Sequence, residues 1–446
     1  MLTDQQGNGM TGASAAAAAL FDQAIDAYNI YRGDPVALLD RALEAAPGMP
    51  MVHIAKAHLF ASTSEPAAIA EARNLLQNAR ALPLDDRERS HVAALELLMA
   101  GEWSEAGAAF DRHNMRYPRD LLALQSGHLL DFFCANARNL RDRIARVLPN
   151  WSPDVPGYPI VLGMYAFGLE ECGDYAHAED VGRRAVALQP LDCWAHHAVV
   201  HVMEMQGRPE DGIGWMIARE PWWTGDDNLF KVHNWWHRAL FHLELGQDDE
   251  ALALYDLNIR EEQNGVALQL IDASAMLWRL HLSGVDVGAR WIELADAWRP
   301  HADGVTYPFN DWHAVMAFLG AGLDREVERV VAALRASASS PSEMGQWAAR
   351  HALPLVEGFI AFWRGRYGAA VDLLLNGRAI ANAFGGSNAQ RDIIDWTLAE
   401  AAMRGGIGPV AQGLANERLA KKPHSPLTAK WLARSAGQAA SEVRAA

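Results

Sequence analysis

Apolar residues recur at i, i+3, i+4 and i+7 through most of the chain, with Ala, Leu, Glu and Arg dominating the segments that carry them. That period is the turn of an amphipathic helix, and the alternating Val/Ile/Thr runs that would mark strands are scarce. The pattern predicts an all-α protein. The stretch from Gly163 to Pro190 shows the repeating unit: a helix, a Gly-Asp turn at Gly173, and a second helix stopped by Pro190 seventeen residues after the turn. Ala178 and Ala185 supply small side chains where two antiparallel helices must approach closely. The same seventeen-residue interval separates Gly101 from Pro118 and Gly33 from Pro50.

Turn glycines continue downstream at Gly207, Gly246, Gly284, Gly322, Gly365 and Gly405, in steps of 34 to 43 residues. A step of 34 is the tetratricopeptide period, and the longer steps read as the same hairpin with longer connections. Two turns without glycine are expected near Ser62 to Ser64 and near Asn136, which gives roughly eleven hairpins. Such an α-solenoid, a tetratricopeptide-like superhelix, buries its core between neighbouring hairpins, so 446 residues need no split into separate domains. The expected organisation is a flexible segment over 1–18, hairpins over 19–190, central hairpins carrying the site over 191–325, and further hairpins with a tail over 326–446.

Composition removes several functions. The formal charge is −16, with 39 Lys and Arg against 55 Asp and Glu, so a nucleic-acid backbone is repelled and no nucleic-acid partner is expected. No apolar run reaches the roughly 18 residues that span a bilayer, so no membrane partner is expected either. Cys134, Cys172 and Cys193 show no C-x-x-C spacing and the N-terminus lacks a secretory pattern, which reads as a reduced, cytoplasmic protein. Sixteen Trp and seventeen His in an Ala-rich helical chain point instead to a built interior or a ligand site.

Tetratricopeptide hairpins present their first helix to the concave face. Counting back from the turn glycines puts Trp194, His197, His201 and Glu204 on that face in the Gly207 hairpin. His233, Trp236 and Glu244 occupy it in the Gly246 hairpin, with His237 one step away. Trp278 follows with Asp272 beside it, then Trp312 flanked by Asp311 and His313. The preceding hairpin adds Phe167, Glu170 and Glu171. Imidazoles and carboxylates on aromatic walls are partly desolvated, which shifts their pKa values toward each other and prepares them for proton transfer.

His197, His201 and His237 are therefore the candidate acid–base groups, with Glu204 and Glu244 as carboxylates that accept an imidazole N–H and orient the ring. Trp194, His233, Trp236, Asp272, Trp278, Asp311 and His313 are the candidate ligand contacts. No cofactor is predicted. A transition metal such as zinc is the lesser option, because the two His-x-x-x-His pairs at His197/His201 and His233/His237 could complete a site, although no His-Glu-x-x-His motif is present. The stretch from Ala383 to Trp396 places a Gly-Gly-Ser-Asn turn before a helix. There Asn388, Arg391 and Asp392 join the ligand contacts, with Arg391 suited to a carboxylate or phosphate. Its structural alternative is a cap at Ser387 or Asn388, and a curled superhelix would make this end a lid over the central hairpins. Cys193 reads as a small buried thiol.

The segments DCWAHHAVVHVMEMQGR (192–208), VHNWWHRALFHLELGQDDEALALYD (232–256), DASAMLWRL (272–280), FNDWHAVMAFLGAG (309–322) and GGSNAQRDIIDW (385–396) resemble the tetratricopeptide repeat protein 38 family. The likeness extends over most of the chain and is densest from 190 to 400. It implies an all-α repeat superhelix in a soluble, cytosolic protein and carries no reaction with it. Two functions follow from the residues: a pocket for a small polar metabolite with acid–base chemistry as hydrolase, lyase or isomerase, or a scaffold that holds a peptide or partner helix in its groove.

Overall fold

The computed structural model describes residues 2–378 and 385–445. Most of its helices come in antiparallel pairs, and each pair turns through at least one residue in the left-handed backbone region. Gly33, Gly101, Gly173, Gly207, Gly246, Gly284, Gly322 and Gly365 hold φ between +65° and +89° at eight of these turns. Only glycine adopts that conformation without a Cβ penalty, which is why the spacing of glycines marks the hairpins. The two turns expected without glycine are made by Ser64 at φ +58° and Ala135 at φ +52°. The last turn is displaced by one residue from the expected position: Gly405 ends its helix at φ −83°, and Gly406 takes the left-handed conformation at +69°. Among the described residues these make eleven hairpins, from Ala15–Asn29 with Pro35–Ala45 to Asn388–Arg404 with Gly408–Lys421, followed by the helix Pro426–Ala445. The fold is all-α and tetratricopeptide-like.

Close approach of paired helices depends on small side chains, as the repeat pattern requires. Ala178 and Ala185 are fully buried, and a Cβ added to Gly182 between them would meet Val199 at 2.8 Å. The longer repeat steps come from the connections. The helix Asp248–Leu254 widens into a π turn at Tyr255–Ile259 before Ala267–Ser283 begins, and residues 299–307 bridge Arg290–Trp298 to Pro308–Gly320.

The chain divides into two compact units. The first comprises residues 1–202 and 219–231, the second 203–218 and 232–446. Trp194, His197 and His201 belong to the first unit, and Glu204, His233, Trp236 and His237 to the second. In the first unit, residues 2–14 make a short strand pair and contacts to later helices. Leu2–Thr3 pairs with Gly9–Met10, Arg87 donates to the Gly9 carbonyl at 2.9 Å, and Gln6 donates to the Pro156 carbonyl at 3.1 Å. The helix Ala15–Asn29 then starts on a Ser14 cap. The second unit is cored by aromatic residues, with Trp236, Trp278, Trp298 and Trp312 all fully buried. Among the described residues no helix is long and apolar enough to cross a membrane.

Candidate functional site

The second unit returns its C-terminal hairpin onto helices far earlier in the sequence. Lys422, just beyond Gly408–Lys421, donates to Glu204 at 2.7 Å, and both side chains are buried. One turn earlier Arg418 donates to Glu244 at 2.9 Å and to Asp392 at 3.2 Å. Its second terminal nitrogen reaches Thr428 at 2.7 Å and Ser425 at 3.0 Å, while Ser425 also bonds Glu244. The indole of Trp431 lies 5.3 Å from the Arg418 guanidinium carbon, which adds a cation–π contact.

Burial alone would raise the Glu244 and Asp392 carboxyls. Arg418 and Lys422 outweigh it and hold both below the usual carboxylate range. Burial likewise opposes the Lys422 charge, and the acidic neighbours led by Glu204 reverse that effect and raise it. The groups are therefore ionised together, which a desolvated site permits only when opposite charges are hydrogen-bonded. Glu204 and Glu244, expected to orient histidines, thus serve as counter-ions to Lys422 and Arg418. The partners lie at sequence separations that no local pattern reveals.

This network borders a cavity of about 380 Å³. Among the described residues its charged lining is Arg378, Arg391, Arg418, Lys421 and Lys422 against Asp392, Asp395 and Glu417. Three predicted ligand contacts, Asn388, Arg391 and Asp392, line it together. Ser387 caps the helix Asn388–Arg404 in a capping box with Gln390, and Arg391 donates to Asn388 at 2.9 Å and to the Gly386 carbonyl. The cap reading of this stretch is thus realised at Ser387. Ala383 and Phe384, at its start, lie outside the described residues.

Three hydrogen bonds tie the helix Asn388–Arg404 to an earlier helix of this unit. Arg279 donates to the Ala389 carbonyl at 3.0 Å, Trp278 donates to Thr397 at 3.0 Å, and Arg404 donates to the Leu282 carbonyl at 3.0 Å. Burial lowers the Arg279 guanidinium to about 10, and it sits over the Trp236 ring at 5.3 Å.

The remaining candidates of the second unit do not line this cavity. His233 pairs through Nδ1 with Asp272 at 2.8 Å and stacks on Trp236, with His237 edge-on at 4.8 Å. Asp272 is thus the carboxylate that orients an imidazole here, the role assigned from sequence to the two glutamates. Trp278 packs on Phe359 at 4.9 Å, as part of the aromatic core. His313 donates from Nδ1 to the Phe309 carbonyl, 2.8 Å away, and Asp311 accepts the Gly304 N–H at 2.9 Å. A carbonyl only accepts, so His313 carries its proton on Nδ1. Both residues pin their own segment of the fold.

In the first unit Trp194, His197 and His201 share one face of Cys193–Met205. Phe167 stacks on His197 at 5.4 Å and meets Trp194 edge-on at 4.8 Å, and the two imidazoles are 4.2 Å apart. Cys193 is buried, its sulfur accepts from Asn228 at 2.8 Å, and burial pushes its thiol up to about 12. That is a structural thiol, as its sequence position suggested.

A cluster missed from sequence lies elsewhere in this unit. Arg87, His91 and His113 all reach the same oxygen of Asp120, at 2.7, 2.8 and 3.1 Å, and His58 bonds the far nitrogen of His91 at 3.0 Å. Its histidines come from three helices of two neighbouring hairpins, Pro50–Ala61, Asp86–Met99 and Trp103–Arg116, and only their burial within an otherwise polar stretch of sequence would have hinted at them.

No protein-family model matches this sequence. Among solved structures the chain is similar to the APC/C hetero-tetramer Cut9–Hcn1, at 14% identity and a TM-score of 0.45 over 94% of this chain and 76% of that one. It is also similar to the human IFIT1 dimer with PPP-AAAA, at 13% identity and a TM-score of 0.41 over 94% of both chains. At these identities and TM-scores neither likeness carries a function across.

Proposed function

We propose that this tetratricopeptide-like repeat protein binds a small anionic metabolite in the charged cavity of its second unit. The observation that carries the reading is the lining: five cationic side chains face three acidic ones in a chain whose formal charge is −16. Glu204 and Glu244 behind the lining balance Lys422 and Arg418, so a carboxylate or phosphate is drawn by directed hydrogen bonds rather than by net charge, and Arg391, Arg418 and Arg378 present the planar donors that recognise such groups. A volume near 380 Å³ falls at the small end of the roughly 300–1,000 Å³ range of metabolite pockets. The Nε of Arg418 is buried without a partner among the described residues, which leaves one donor of the site for a ligand.

The resemblance to the tetratricopeptide repeat protein 38 family and a cytoplasmic location are consistent with this proposal.

The test is isothermal titration of the untagged full chain with phosphate, citrate and a free amino acid, beside native mass spectrometry for co-purifying molecules. Saturable binding of an anion, weakened by Lys421→Met and by Arg391→Met with helix content unchanged, supports the proposal. Binding of an extended peptide with no response to any small anion turns it in favour of a scaffold.

A further inference from the structure

We infer that the first unit holds a divalent transition-metal ion between Glu170, Glu171 and His201. The donor set is built by two neighbouring hairpins. Glu170 and Glu171 end the helix Tyr158–Glu171 immediately before the left-handed turn at Gly173, and His201 comes from Cys193–Met205. All three residues are buried. His201 Nδ1 lies 3.3 Å from Glu170 Oε2 and 4.0 Å from Glu171 Oε1, and one ligand atom from each residue falls within 4.8 Å of the others. Ligands about 2.1 Å from a tetrahedral ion stand about 3.4 Å apart, so the His201–Glu170 separation already fits a coordination sphere and Glu171 would close in by about half an ångström to join it.

Two further features point to a cation. Glu170 and Glu171 both lie in the last turn of Tyr158–Glu171, and a carboxylate oxygen of each comes within 4.0 Å of the one imidazole of His201. That end also carries the negative pole of the helix dipole, which disfavours carboxylates and favours a positive ion beside them. One imidazole nitrogen and two carboxylate oxygens suit zinc, manganese, iron(II) or cobalt better than an all-oxygen calcium site or a thiolate site. His197, its ring 4.2 Å from that of His201, lies one helical turn away on the same face. The competing cluster at His91, His113 and Asp120 has comparable spacing, but the Arg87 guanidinium already occupies Asp120 at 2.7 Å and repels a second cation. This inference concerns a different unit from the anion cavity and stands independently of it.

The experiment strips the full-length chain with EDTA and titrates it with cobalt(II), read by its visible absorption, and with zinc in competition. One equivalent is expected to bind and to raise the melting temperature. Glu170→Gln and His201→Ala should each weaken affinity by about 100-fold or more, since even residues that only support a ligand cost 10–100-fold. His113→Gln should bind as the parent does. Glu170→Gln preserves side-chain shape, so it remains informative if His201→Ala does not fold. Absence of saturable binding, or affinity that survives Glu170→Gln and Glu171→Gln, overturns the site.

Discussion

Lys422 and Glu204 meet at 2.7 Å across 218 residues of sequence, and neither is more than 6% exposed. Such a pair contributes little net stability compared with an apolar substitute, but stranding one member is costly, about 3–5 kcal/mol. Lys422→Met should therefore lower the urea midpoint sharply by leaving Glu204 buried alone. The double variant with Glu204→Gln should recover most of that loss, and a double-mutant cycle measures the coupling. Additive losses in that cycle would mean that the pair does not form in solution.

Ala135 holds φ +52° at a turn where nine other hairpins use glycine. A Cβ in the left-handed region costs about 1–2 kcal/mol, while glycine adds roughly 0.4–1 kcal/mol of unfolded-chain entropy. Ala135→Gly should thus stabilise the protein by roughly 0.5 kcal/mol, and Gly173→Ala, at φ +82°, should destabilise it by about 1 kcal/mol. Thermal melts of the two variants should shift in opposite directions.

The hairpins were legible because their signals are local. A turn glycine, a small residue in each packed helix and a stop proline all fall within one repeat, and even the displaced turn at Gly406 differs by a single residue from Gly405. The candidate site was legible in part. Asn388, Arg391 and Asp392 share one helix end and meet in one cavity, as their spacing suggested. Their counterparts Arg418 and Lys422 were not legible, because they sit in a cationic stretch that reads as a solvated helix end until the return of the hairpin buries it. His233 shows the same limit: its carboxylate is Asp272, 39 residues on, while Glu244 on its own helix is committed to Arg418. Periodicity assigns a face to each residue, but the partner across that face depends on which helices pack.

Gly320 tests that packing directly. It closes the helix Pro308–Gly320 against Trp291, and a Cβ there would lie 2.2 Å from the indole. Trp291 is itself buried, so the ring has no open space to enter. Gly320→Ala should cost about 1–3 kcal/mol through overpacking, seen as a lower denaturation midpoint. Gly322→Ala meets no neighbouring atom and is strained only by its φ of +69°. The pair of variants separates steric crowding from backbone conformation.

Asp311 and His313 sit two residues apart on one buried helix and respond oppositely to burial. The Asp311 carboxyl is pushed up to about 8, against the Gly304 N–H that partly opposes the shift, and burial pushes the His313 imidazole down to about 3. Unfolded, they titrate near 3.8 and 6.5. Between pH 4 and 6.5 the folded chain therefore holds one more proton at Asp311 and one fewer at His313, and their effects on stability cancel. Above pH 6.5 the histidine is neutral in both states and only the aspartate counts. The folded state then binds more protons than the unfolded one, so stability falls as pH rises, at about 1.4 kcal/mol per pH unit until about pH 8. Asp311→Asn keeps an acceptor for Gly304 and removes the titration. Urea midpoints measured at pH 6.5 and 8 should drop for the parent and drop less for Asp311→Asn, with Asp192, pushed by burial up to about 7, accounting for part of the remaining fall. Equal drops in the two proteins would show that Asp311 is ionised in the folded state.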